Sequence, residues 1–103
     1  MMMPKATTTM PIISSIKIAP EKSSYVKNDL IFVKPDIASK YEIAQLDYFL
    51  NDQYLGSIKK PPFEFGFRLS DKILDGSPVA VLKIKTYDKI NNAAEKSINI
   101  NIE

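Results

Sequence analysis

Phe63, Phe65, Phe67 and Leu69 recur at every second position, with Glu64, Gly66 and Arg68 between them. A spacing of two is the period of a β-strand with one face in a core, and this stretch is the strongest core signal in the chain. The same period runs through Leu46, Tyr48 and Leu50, with Gln45, Asp47 and Phe49 on the opposite face. Ala80, Leu82, Ile84 and Thr86 alternate with Val81, Lys83, Lys85 and Tyr87, so the lysines mark the wet side. Ile98, Ile100 and Ile102 alternate with Asn99 and Asn101 in a last strand that suits a sheet edge flanked by Lys96 and Glu103. Two further strands are read from Ile12, Ile13, Ile16 and Ile18, and from the apolar run Leu30-Ile31-Phe32-Val33, which suits a central strand covered on both sides. A return strand from Tyr54 to Ile58 brings the count to about seven, which a two-sheet sandwich accommodates. A helix over Ala38 to Ala44 would be short, and Tyr41 and Ile43 fit a strand entrance as well.

The punctuation between these runs sets the topology. Asn51-Asp52 supplies the turn chemistry of a tight hairpin, and Gly56 inside the return strand marks a bulge or a close backbone approach. Pro61-Pro62 cannot donate ladder hydrogen bonds, so the chain should leave one sheet there and cross to the other. Residues 19 to 24 form a turn-rich connection, Ser70 to Pro78 a long turn ending in Asp75-Gly76, and Asn91-Asn92 a further turn. Residues 1 to 11 are polar and threonine-rich, bracketed by Pro4 and Pro11, and read as an extended N-terminal arm before a single domain over 12–103. The predicted class is all-β: an antiparallel two-sheet sandwich preceded by that arm.

Composition narrows the chemistry. The chain of 103 residues holds neither cysteine nor histidine, so disulfides, thiolate metal sites and imidazole catalysis are excluded. Its 14 basic residues against 12 acidic ones leave a net charge of +2, too small a field for a nucleic-acid or membrane-surface binder. No signal-peptide pattern opens the chain and no run of about eighteen apolar residues spans a bilayer. A whole gene product of this kind would be made and used in the cytoplasm or assembled there into something larger.

The remaining candidates for chemistry have plainer roles. Asp71 with Asp75, and Asp47 with Asp52, are carboxylate pairs of the type a glycosidase needs, but aspartate is also a preferred turn residue. Asp88 with Asn91 or Asn92 offers oxygen ligands for calcium without the regular loop of such sites; organising its own turn explains it better. Tyr48, Tyr54 and Phe49 offer aromatic surface for a sugar, though tryptophan is absent and Tyr48 is better read as a core residue whose hydroxyl reaches the rim. Lys59-Lys60 is a solvated pair at a strand end, at most a rim contact. No catalytic, cofactor or metal residue is assigned.

The run Leu46 to Gly56, then Pro62-Phe63-Glu64-Phe65, then Gly76 ahead of a strand ending Thr86-Tyr87-Asp88, then Asn91-Asn92, resembles bacterial Ig-like domains over about residues 11 to 102. Asp52 and Asn91 stand where that family has glycine, and both residue types tolerate the left-handed backbone such turns require. The resemblance implies a non-catalytic module, of the kind found as spacers in secreted bacterial enzymes and adhesins and as decoration on tailed-phage virions. The reading from sequence is therefore a structural interaction protein. Its first setting is an auxiliary or decoration protein on a phage capsid, assembled in the host cytoplasm. The alternative is a spacer or weak carbohydrate-binding module within a longer secreted or surface chain. Docking would use Met10, Ile12 and Ile13 of the arm region and Phe49, while Leu46, Tyr48, Leu50, Phe63, Phe65, Phe67, Leu82, Ile84, Ile98 and Ile100 form the core. The partner would be protein, with carbohydrate the weaker alternative.

Overall fold

The computed structural model describes residues 10–70, 74 and 76–103. Among the described residues seven strands follow one another: β1 (Ile12–Ala19), β2 (Leu30–Ala38), β3 (Ile43–Leu50), β4 (Gln53–Ile58), β5 (Phe65–Arg68), β6 (Val79–Asp88) and β7 (Ala93–Asn101). They form two antiparallel sheets, one ordered β1-β2-β5 and the other β4-β3-β6-β7. Their inward faces meet in one core built on Ile31, Val33, Leu46, Tyr48, Leu50, Leu82, Ile84 and Ile100. Phe67 and Leu69 are buried with them, while Phe63, Phe65 and Ile98 are partly buried and pack against the same cluster. The alternation read from Phe63 to Leu69 holds, although only Phe65–Arg68 is strand.

Turn chemistry explains the register. Leu50 pairs with Gln53 across a two-residue loop in which Asn51 (φ 51°) and Asp52 (φ 66°) are both left-handed, the geometry that matches the right-handed twist of a hairpin. Asn91 is left-handed too, at φ 70°. Both positions where the resemblance expects glycine thus keep a glycine-like backbone. In β4 the register skips Leu55 between Tyr54 and Gly56, so the bulge foreseen at Gly56 is present. The close approach is present as well: a β-carbon on Gly56 would lie 2.9 Å from the Phe65 ring of the opposite sheet. After β4 the chain crosses at Pro61-Pro62 from one sheet to the other, as two missing donors dictate.

Two expectations need correction. The run Leu30 to Val33 lies in the middle strand of its sheet but is covered on one face only, with Phe32 42% exposed. The strand also runs on through Pro35 to Ala38, where β2 has lost its β5 neighbour and a missing N–H is tolerated on the open side. Of the two readings of residues 38 to 44, the strand entrance holds: they are the end of β2, a bend and the start of β3. Pro11, read as part of the arm, is fully buried, so the packed domain begins before residue 12; residues 1 to 9 lie outside the described residues.

Candidate interaction surfaces

β1 holds two of the expected docking residues and divides them between its faces. Ile12 is 53% exposed, as Met10 beside it is exposed, whereas Ile13 is 7% exposed and belongs to the core. Ile13 is therefore no free anchor. The cause is local: the register between Ile13 and Ser15 shifts by one residue, and Ser14 Oγ donates to the Asp36 carbonyl at 3.1 Å. That bulge lets Ile13, Ile16 and Ile18 all turn inward although their spacing is three and then two.

Phe49 lies on the outer face of the four-stranded sheet, as its alternation requires, and is half-covered there. The Tyr54 ring meets it edge-on at 5.7 Å and the Lys83 ammonium sits 5.1 Å from its centre. Beside it runs a polar chain: Gln45 Nε2 donates to Asp47 Oδ1 at 2.6 Å, and Ser57 Oγ donates to the same oxygen at 2.5 Å. The Ser57 proton being committed, the Tyr54 hydroxyl is the donor in its 2.5 Å contact with Ser57 Oγ. Tyr54 still shows 60% of its surface, so this face carries a ring whose orientation is fixed by hydrogen bonds. Tyr48 points the other way: fully buried, it stacks on Phe65 at 4.6 Å and donates to the Phe63 carbonyl at 2.5 Å. Burial pushes its phenol well above the ordinary tyrosine range.

The carboxylates hold structure together. Asp47 accepts the two bonds just described, and Asp52, on the hairpin turn, pairs with Lys83 at 3.5 Å. Asp71 and Asp75 lie outside the described residues. Asp88, 1% exposed, accepts from the N–H groups of Ile90 (3.0 Å) and Asn92 (2.9 Å) and from the Asn92 side chain (2.9 Å). Burial disfavours its charge, yet the Asn92 amide and the Asn92 and Ile90 N–H groups outweigh it and hold the carboxyl below its ordinary range. Asp88 thus organises the β6–β7 turn. Among the described residues, no group of three acidic side chains stands close enough to hold a metal ion.

Tyr25 is the residue that periodicity missed. It sits in the connection after β1, buried, donating its hydroxyl to the Pro20 carbonyl at 2.6 Å. Its N–H bonds the Asn101 carbonyl at 2.9 Å and its carbonyl accepts from Glu103 at 2.8 Å, which covers the end of β7. An aromatic inside a polar, turn-rich stretch was the available signal. Because Asn101 points its carbonyl away from β6, alternation turns the backbone groups of Ala93, Glu95, Ser97 and Asn99 to the same open edge. Next to that edge, an open cleft of about 860 Å³ runs past Ile16, Ile18, Tyr25 and Asn101. Its rim mixes signs, with Lys17, Lys22 and Lys34 against Glu21 and Glu64.

No protein-family model matches this sequence, and no characterised protein matches it at the level of sequence. Solved structures do match in shape. The fibronectin(III)-like modules of Clostridium thermocellum CbhA superpose with a TM-score of 0.64 at 18% identity, over 86% of this chain and 97% of the module. The superoxide reductase (neelaredoxin) from Ignicoccus hospitalis gives 0.62 at 15% identity, over 86% of this chain and 80% of that one. The spore cortex lytic enzyme SleM of Clostridium perfringens gives 0.61 at 16% identity, over 76% of this chain and 26% of the enzyme. Such identities establish a shared fold alone, and one fold in a module, a reductase and a lytic enzyme assigns no activity. The chain has the Ig-like, fibronectin(III)-like β-sandwich fold.

Proposed function

We propose that this domain is a non-enzymatic structural and interaction module, carried in or docked on a larger bacterial or viral assembly. The observation that carries this reading is the match over 97% of a fibronectin(III)-like module. Backbone pairing along the open edge of β7 and contacts by Met10 and Ile12 are the means of docking. The spacer or accessory-module setting is preferred, since the similar chain is itself a module. The virion setting that the sequence resemblance allows finds no support in these comparisons.

The test is fractionation of the native source on a density gradient, probed with an antibody to this domain. A much larger polypeptide in the surface or secreted fraction is the expected result. A band of the chain's own mass travelling with large particles would restore the virion setting. Free migration at the chain's own mass would overturn the interaction reading altogether.

A further inference from the structure

A second cleft, of about 440 Å³, opens at the end of the sandwich where three segments meet: the start of β3, the β6–β7 turn and the crossover after β4. Its floor is apolar, made by Ile43, Pro61 and Phe63. Its rim carries Lys59, Lys60 and Lys89 against a single carboxylate, Glu42. Lys89 is already spoken for: its ammonium pairs with Glu42, and its N–H donates to the Glu42 carbonyl at 3.0 Å. Lys59 and Lys60 are exposed and make no ion pair or hydrogen bond among the described residues.

Neighbours in a strand point to opposite faces, yet both lysines line one cleft. They do so because β4 ends at Ile58 and the two prolines that follow restrict the backbone just beyond them. Beside the apolar floor, these two side chains have no carboxylate partner among the described residues. The larger cleft differs, since its lining carries both signs of charge and Lys22 is bound to Asp29 at 3.0 Å.

We propose that this end cleft seats an acidic segment of a partner protein, one apolar side chain resting on Phe63, Ile43 and Pro61 while flanking carboxylates meet Lys59 and Lys60. The proposal rests on the interaction-module reading and names the chemistry of the partner. An anionic sugar fits less well, because its hydroxyls need acceptors and the one carboxylate here is engaged by Lys89. A nucleic acid would need the extended basic field that a net charge of +2 does not make.

The probe is a capped pentapeptide, Asp-Asp-Leu-Asp-Asp, titrated at low salt into the isotope-labelled chain and followed by its amide NMR signals. Saturable shifts at Ile43, Lys59, Phe63 and Lys89 are expected. The variant carrying Lys59→Gln and Lys60→Gln should bind about fivefold more weakly at an unchanged Tm, as two exposed ion pairs would give. Replacing the central leucine of the peptide by serine should weaken binding as well, and added salt should abolish it. Three results would overturn the assignment: no saturable shift at those amides, equal binding by the double variant, or tighter binding of trigalacturonate, which would make the site one for acidic sugar. A failed titration with a chain that still co-fractionates with a larger polypeptide removes only the cleft assignment; a chain that migrates free removes the interaction reading beneath it.

Discussion

The two long sides of the sandwich are closed by different means. Where β4 faces β5, rings do the work: Phe65 stacks on Tyr48 at 4.6 Å and lies 6.3 Å from Phe67, and Gly56 leaves the space that Phe65 fills. Where β1 approaches β7, the seam is aliphatic, made by Ile16, Ile18, Ile98 and Ile100, and the 860 Å³ cleft remains beside it. Tyr25 closes only the far end of that seam. A flat ring seated on a glycine excludes water over a large area, whereas isoleucines reaching across the edge strands leave backbone polar groups in the open. Stability is therefore concentrated on the aromatic side and accessibility on the aliphatic side.

Substitutions can break that contrast. Phe65→Ala should cost about 3 kcal/mol, since it removes the ring that joins the sheets and leaves a cavity above Gly56. Ile18→Ala on the open side, partly buried, should cost about 1–2 kcal/mol. Urea unfolding of both variants checks the pair, and an equal loss would erase the distinction between the sides. Tyr48→Phe should cost about 1 kcal/mol by leaving the Phe63 carbonyl without its donor, read in the same experiment. Thr86→Val is expected to raise stability by about 0.5 kcal/mol, because the Thr86 hydroxyl is buried without a hydrogen-bond partner among the described residues.

The turns respond to acid. Asp29 is held below its ordinary pKa by the Val26 N–H and then by Lys22, and Asp88 by Asn92 and Ile90 against the effect of burial. A carboxyl whose folded pKa is depressed contributes stability above its unfolded value and loses it as pH falls through the folded value. Tm should accordingly drop below about pH 3.8, the ordinary value for these groups. Asp88→Asn should flatten that drop while lowering Tm at neutral pH; an unchanged acid limb would mean that Asp88 is not the group titrating.

The resulting picture was legible in parts. Phe63 to Leu69, Leu46 to Leu50 and Ala80 to Thr86 announced their faces because a strand's period of two is set by backbone geometry and needs no neighbour. Asn51-Asp52 and Asn91 announced their turns because few residues accept a left-handed backbone. The inward turn of Ile13 was not legible, since it depends on a bulge that moves every later side chain by one position. The open outer face around Phe32 was not legible either, because four apolar residues in a row read alike whether one face is covered or two.

The sequence by itself determined the fold class, the strand periods, the hairpin turns and the crossing at Pro61-Pro62, all of which are local consequences of backbone sterics and missing donors. Tertiary structure alone decided that Tyr25 would cap β7 and that Phe65 would sit on Gly56. It alone brought Lys59, Lys60, Ile43 and Lys89 to one cleft. Those contacts join residues far apart in the chain, and no period or propensity encodes which distant segment will be the neighbour.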